Sequence, residues 1–99
     1  MYVRIARFED VENNWDARIT TIRERMTAAA TGAADGPPIK RALMLVDREN
    51  RRGAGITFCE TEDDLRKVDE YMNNMSPPGG SGTRSSVELF EVVLDSEQL

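Results

Sequence analysis

Histidine is absent from the 99 residues. That removes Ser-His-Asp and Cys-His nucleophilic catalysis in their usual forms. It also removes histidine general bases and histidine-ligated zinc or haem. Cysteine occurs once, at Cys59, so neither an internal disulfide nor a thiolate metal cluster can form within one chain. Such usage fits a reducing compartment. No apolar run approaches the roughly 20 residues that span a bilayer. Met1-Tyr2-Val3-Arg4-Ile5 lacks the apolar core of a signal peptide. The expectation is a soluble, cytoplasmic protein with no membrane partner, no metal and no cofactor. Positive charge is in deficit, with 13 Lys and Arg against 18 Asp and Glu and a net charge of −5. An acidic chain repels phosphate backbones, so nucleic acid is not expected as a partner. Arg48, Arg51 and Arg52 do cluster, but in a stretch that reads as a hairpin turn, where exposed charge is ordinary.

What is present is globular: 39% hydrophobic and 31% charged residues, outside the range of disordered chains. The length suits one domain, drawn here as 1–95 with a tail at 96–99. A domain this small buries roughly two-thirds or less of its unfolded surface, so its core is thin.

Tyr2 to Phe8 is rich in β-forming residues and bounded by Glu9-Asp10, which predicts a strand. Val11, Trp15, Ile19, Ile22 and Met26 then recur at spacings of four, four, three and four, the stripe of an amphipathic helix from about Val11 to Ala30. Asp10 is placed to cap it. Thr31 to Pro38, with two glycines and two prolines, predicts a loop. Lys40 to Asp47 and Ala54 to Glu60 predict two strands joined by the tight connection Arg48 to Gly53. Thr61-Glu62-Asp63-Asp64 supplies a cap and three carboxylates for the positive end of a second helix, whose stripe is Leu65, Val68, Met72 and Met75. The Pro-Gly segment Ser76 to Gly82 ends that helix, and Ser86 to Leu94 predicts the last strand. Gly79-Gly80-Ser81-Gly82 follows a helix and precedes a strand, the reverse of phosphate-binding order, so it predicts a connection or a lid.

The order is β-α-β-β-α-β, and Phe8 to Trp15 echoes Phe58 to Leu65: each runs from a phenylalanine through acidic residues into a helix. Two such halves give a ferredoxin-like α+β domain, a four-stranded antiparallel sheet with both helices on one face. A sheet face open to water should alternate apolar and polar residues. Here Leu43 and Leu45 oppose Ala42, Met44 and Val46, and Val87, Leu89 and Val93 oppose Phe90, Val92 and Leu94, so both faces need cover. A homodimer packed sheet to sheet supplies it with two-fold symmetry. Edge strands and the tail are the alternative cover.

The strand Val3 to Phe8, the Trp15 helix, the hairpin Ala42 to Phe58, Glu60 to Leu65 and the strand Val87 to Val92 together resemble the dimeric α+β barrel superfamily, most of all its antibiotic-biosynthesis-monooxygenase-like members. The resemblance covers nearly the whole chain and is architectural. It implies a dimer enclosing a pocket between two sheets, and either cofactor-free oxygenation or no activity. Members that use a histidine for haem or lactone chemistry have no counterpart here.

If Val3 and Ile5 face the helices, alternation sends Tyr2, Arg4 and Ala6 to the open side, joined by Thr57, Cys59, Glu88 and Phe90. Those residues are the expected lining of a small-molecule pocket. Arg4 suits a substrate carboxylate or enolate, or a structural pair with Glu88. Tyr2 suits proton donation or stacking, or the sheet rim. Cys59 lacks an activating base and reads better as a buried filler. Trp15 belongs to the helical stripe or borders the pocket. Asn13 and Asn14 suit first-turn capping, or orienting a substrate or dioxygen at the pocket mouth, and the Asp63-Asp64 pair suits dipole stabilisation ahead of acid/base or metal work. The functional expectation is a homodimer holding a small apolar or aromatic ligand between helix-free sheet faces. A cofactor-independent monooxygenase acting on an activated aromatic or enol, and a structural domain with a filled interior, are the alternatives.

Overall fold

The β-forming segments and the two amphipathic stripes condense as that order predicts. The computed structural model describes residues 1–12, 14–30, 38–74 and 83–99. Strand β1 spans Tyr2–Glu9, helix α1 Trp15–Ala30, β2 Arg41–Asp47, β3 Arg52–Cys59, α2 Glu62–Asn73 and β4 Thr83–Glu91, with a 3₁₀ turn at Ser96–Gln98. The four strands form one antiparallel sheet in the order β2-β3-β1-β4, the ferredoxin-like arrangement. No helix among the described residues is long and apolar enough to cross a membrane.

Helix α2 starts where the sequence predicts. Thr61 is its N-cap, its side chain accepting from the Asp64 amide at 3.1 Å, and three carboxylates fill the first turn. Its stripe is well covered: Leu65 and Val68 are buried with Cys59, and Tyr2, Ile39 and Met72 pack around them. Met75 and the Pro-Gly segment lie outside the described residues, as do Asn13 and residues 31–37.

Helix α1 differs. It begins at Trp15, four residues after Val11, so Asp10 is not its cap. Asp10 takes a positive φ of 53°, and the Val11 amide donates across to the Arg51 carbonyl at 3.1 Å. The chain thus docks on the β2–β3 hairpin tip before it turns helical, and Val11 is buried outside the helix. The Asn14 carbonyl accepts from the Arg18 amide, which puts Asn14 in the capping position. The rest of the stripe, Ile19, Ile22 and Met26, is only half-buried. Strand β4 also shifts: it begins at Thr83 and ends at Glu91, and Val92 donates its amide to the Met1 carbonyl.

The hairpin connection contains the second positive φ, 54° at Arg51. A side chain there crowds its own carbonyl, which glycine avoids. Arg51→Gly is therefore expected to stabilise the domain by about 0.5–1 kcal/mol, read as a higher urea midpoint. A lower midpoint would show that the arginine side chain itself holds the turn.

Asp47 closes the same hairpin. Its carboxylate accepts from the Asn50 side-chain amide at 2.9 Å, the Asn50 backbone amide at 3.2 Å and Arg52 Nη2 at 2.7 Å. The Asn50 side chain foremost, then Arg52, lower its pKa from 3.8 to about 2. The folded value lies below the unfolded one, so the stabilisation is complete above the unfolded value and is lost as pH falls through the folded one. The melting temperature of Asp47→Asn should consequently fall less between pH 5 and pH 2 than that of the unaltered protein. Parallel curves would remove Asp47 from the acid response.

Candidate functional site

Strand register decides which side chains share a face. Tyr2, Arg4, Ala6 and Phe8 lie opposite Cys59, Thr57, Gly55 and Gly53. Cys59 packs on Leu65 and Val68 of α2, and a Cβ at Gly53 would lie 3.6 Å from Trp15 Cη2. This set faces the helices. The expected orientation is thereby reversed: Tyr2, Arg4, Thr57 and Cys59 lie beneath the helices, whereas Val3, Ile5, Ile56 and Phe58 lie on the open side. Glu88 and Phe90 stand on the open side as expected, but beside Ile5 and Val3 rather than Arg4. The physical reason is a preference of α2, not of β1. Asp69 and Asn73, one turn apart beside the Leu65–Val68 stripe, accept from Arg4 beneath α2, whereas the open-side Glu88 is taken by Arg7.

Arg4 is only 4% exposed. Its Nε donates to Asp69 Oδ1 at 2.9 Å and its Nη2 to Asn73 Oδ1 at 3.3 Å. Arg84 Nη1 donates to the same Asn73 oxygen at 2.6 Å. The anticipated partner Glu88 instead accepts from Arg7 Nε at 3.1 Å on the open side. Sequence reasoning missed Asp69, Asn73 and Arg84; polar residues at i and i+4 flanking an apolar stripe were the available signal.

The remaining helix-side candidates are packing residues. Cys59 is fully buried, and burial followed by the Asp64 charge pushes its thiol pKa up, away from a reactive thiolate. Thr57 is buried beside Arg4. Tyr2 packs on the Cys59 cluster. Trp15 lies over Gly53, where a Cβ would meet the ring at an ordinary contact distance of 3.6 Å. Its Nε1 is buried and has no acceptor among the described residues, a cost of filling a small domain with a large ring. No three acidic or thiol groups converge among the described residues in a way that could hold a metal ion.

The open face has a different character. Its centre is apolar: Val3, Ile5, Leu43, Ile56, Phe58 and Phe90. Its margin is charged, with the Arg7–Glu88 pair and the Arg52–Asp47 pair at 2.7 Å. Phe90 is 48% exposed and Leu45 47% exposed. The Arg41 guanidinium stands 5.9 Å from the centre of the Phe58 ring, within cation–π range. Beyond β4 the chain turns back beside these two residues. It forms a shallow hollow of about 430 Å³ whose other wall carries Val92, Leu94, Asp95 and Glu97. A second hollow of about 260 Å³ lies at the opposite end, bordered by Arg7, Leu45, Asp47, Arg52 and Ala54. Apolar floors with a few charged groups at the edge can hold a planar apolar molecule and orient it. No protein-family model matches this chain and no curated protein matches it, so fold and side-chain placement are what bear on its function.

Proposed function

We propose that the protein is a homodimer whose helix-free sheet faces oppose each other and hold a small apolar or aromatic ligand between them. The observation that supports this most is the character of the open face: an apolar surface left half-exposed at Phe90 and Leu45, a rim of ion pairs and a hollow at either end. Exposed apolar patches rimmed by charge are the ordinary signature of an interaction surface. A single sheet face repeated about a two-fold axis covers itself without requiring any other partner. The relocation of Arg4, Tyr2, Thr57 and Cys59 to the helix side leaves the open face with ionic groups that are paired with each other, Glu88 with Arg7 and Asp47 with Arg52. That favours binding over turnover, because proton transfer needs an available donor or acceptor within hydrogen-bond reach of the ligand.

Sedimentation velocity at micromolar concentration, run with and without a panel of hydroxylated aromatics, tests both halves. A dimer that binds at least one member supports the reading. A clean monomer, or a dimer that binds nothing in the panel, overturns it.

A further inference from the structure

The geometry points to a second site, independent of the sheet-face reading: an oxyanion site between Arg4 and Arg84 at the C-terminal end of α2. Both guanidiniums donate to one neutral oxygen, Asn73 Oδ1, at 3.3 and 2.6 Å. They therefore approach within about 6 Å of each other, close enough for strong mutual repulsion outside bulk water. Asp69 neutralises Arg4 at 2.9 Å. Among the described residues Arg84 has no carboxylate partner, so the group carries one uncompensated positive charge. A helix C-terminus contributes roughly half a negative charge, too little to cancel it.

A neutral amide oxygen is a weak bridge for two cations. Charge-assisted hydrogen bonds are about twice as strong as neutral ones, and guanidinium forks match carboxylate and phosphate oxygens. An incoming oxyanion replaces the Asn73 oxygen and gains a donor from each arginine. Arg4 is pre-set for this, since it is buried and held at Nε by Asp69. Asn73 and Arg84 are exposed and can swing aside. The class of ligand is a small carboxylate or a phosphate, reached from solvent on the helix side.

The experiment is thermal unfolding of the full chain in rising inorganic phosphate, with sodium benzoate in parallel and ionic strength held with sodium chloride. Phosphate or benzoate should raise the melting temperature with the logarithm of its concentration above the dissociation constant, by about 5 °C at roughly five times that constant. The arm whose shift sets in at the lower concentration tells whether phosphate or carboxylate is preferred. Arg84→Ala, an exposed change, should fold normally and lose the shift. Asn73→Ala removes the internal competitor and should tighten binding about five-fold, a gain that a purely structural network would not produce. The proposal is overturned if neither anion raises the melting temperature of the unaltered protein above the sodium chloride control. It is equally overturned if Arg84→Ala retains the shift, or if Asn73→Ala fails to tighten it.

Discussion

Asp69→Ala is expected to destabilise the domain by about 3 kcal/mol, the largest single loss available outside the apolar core. Arg4 is almost fully buried and its guanidinium rests on the Asp69 carboxylate. Removing one partner of such a pair leaves a desolvated charge, which costs about 3–5 kcal/mol when both partners are buried. Asp69 retains 28% side-chain exposure, so water can enter and the lower end applies. Against a total of about 5–15 kcal/mol for a domain of this length, the loss is severe. The melting temperature should drop by about 12–20 °C. Pairing Asp69→Ala with Arg4→Met should recover much of it, because the double variant buries no unpaired charge and keeps an apolar stem of similar length. Chemical denaturation of the two single variants and the double variant measures the coupling. A loss below about 1 kcal/mol for Asp69→Ala would mean that Asn73 and solvent suffice for Arg4, and the buried pair would lose its structural role.

Phe90→Glu is expected to weaken self-association at least about 100-fold while leaving the monomer folded. About half of the Phe90 ring remains exposed in one chain. Covering that remainder removes roughly 100 Å² of apolar surface, or about 2.5 kcal/mol, from each copy. The two-fold axis doubles the effect to about 5 kcal/mol, and little more than half of that sum reaches the roughly 2.7 kcal/mol that corresponds to about 100-fold. The carboxylate adds repulsion, since it stands two residues from Glu88 on the same face of β4. Leu89→Glu is the control. Leu89 is 44% exposed, nearly as much as Phe90, but belongs to the helix face opposite Arg4. Sedimentation equilibrium of the pair separates face from hydrophobicity. Equal weakening by both, or by neither, would remove the open face as the contact surface.

The fold was largely legible because its signals are local. Period-two strands, a 3.6-period stripe, the Thr61 cap and the hairpin turn each depend on a few neighbouring residues. The errors lie where a distant group took over a local one. Asp10 has the chemistry of an N-cap, but the Arg51 carbonyl captured the Val11 amide and delayed α1 to Trp15. Val3 and Ile5 are better core residues than Arg4 by composition, yet Arg4 is the one beneath the helices. Alternation shows that Val3 and Arg4 lie on opposite faces; it cannot say which face the helices cover.

Residue type and spacing alone were enough for the element order, the antiparallel sheet with two helices on one side, and the exclusion of histidine chemistry. Which side of the sheet each candidate occupies depends instead on where the helices dock. The tertiary structure set Arg4 against Asp69 and Asn73, brought Arg84 to the same oxygen, and left Phe90 and Leu45 on a helix-free face. Those pairings join residues up to 69 positions apart in the chain. No local pattern encodes them, because they arise from where α2 comes to rest on the sheet.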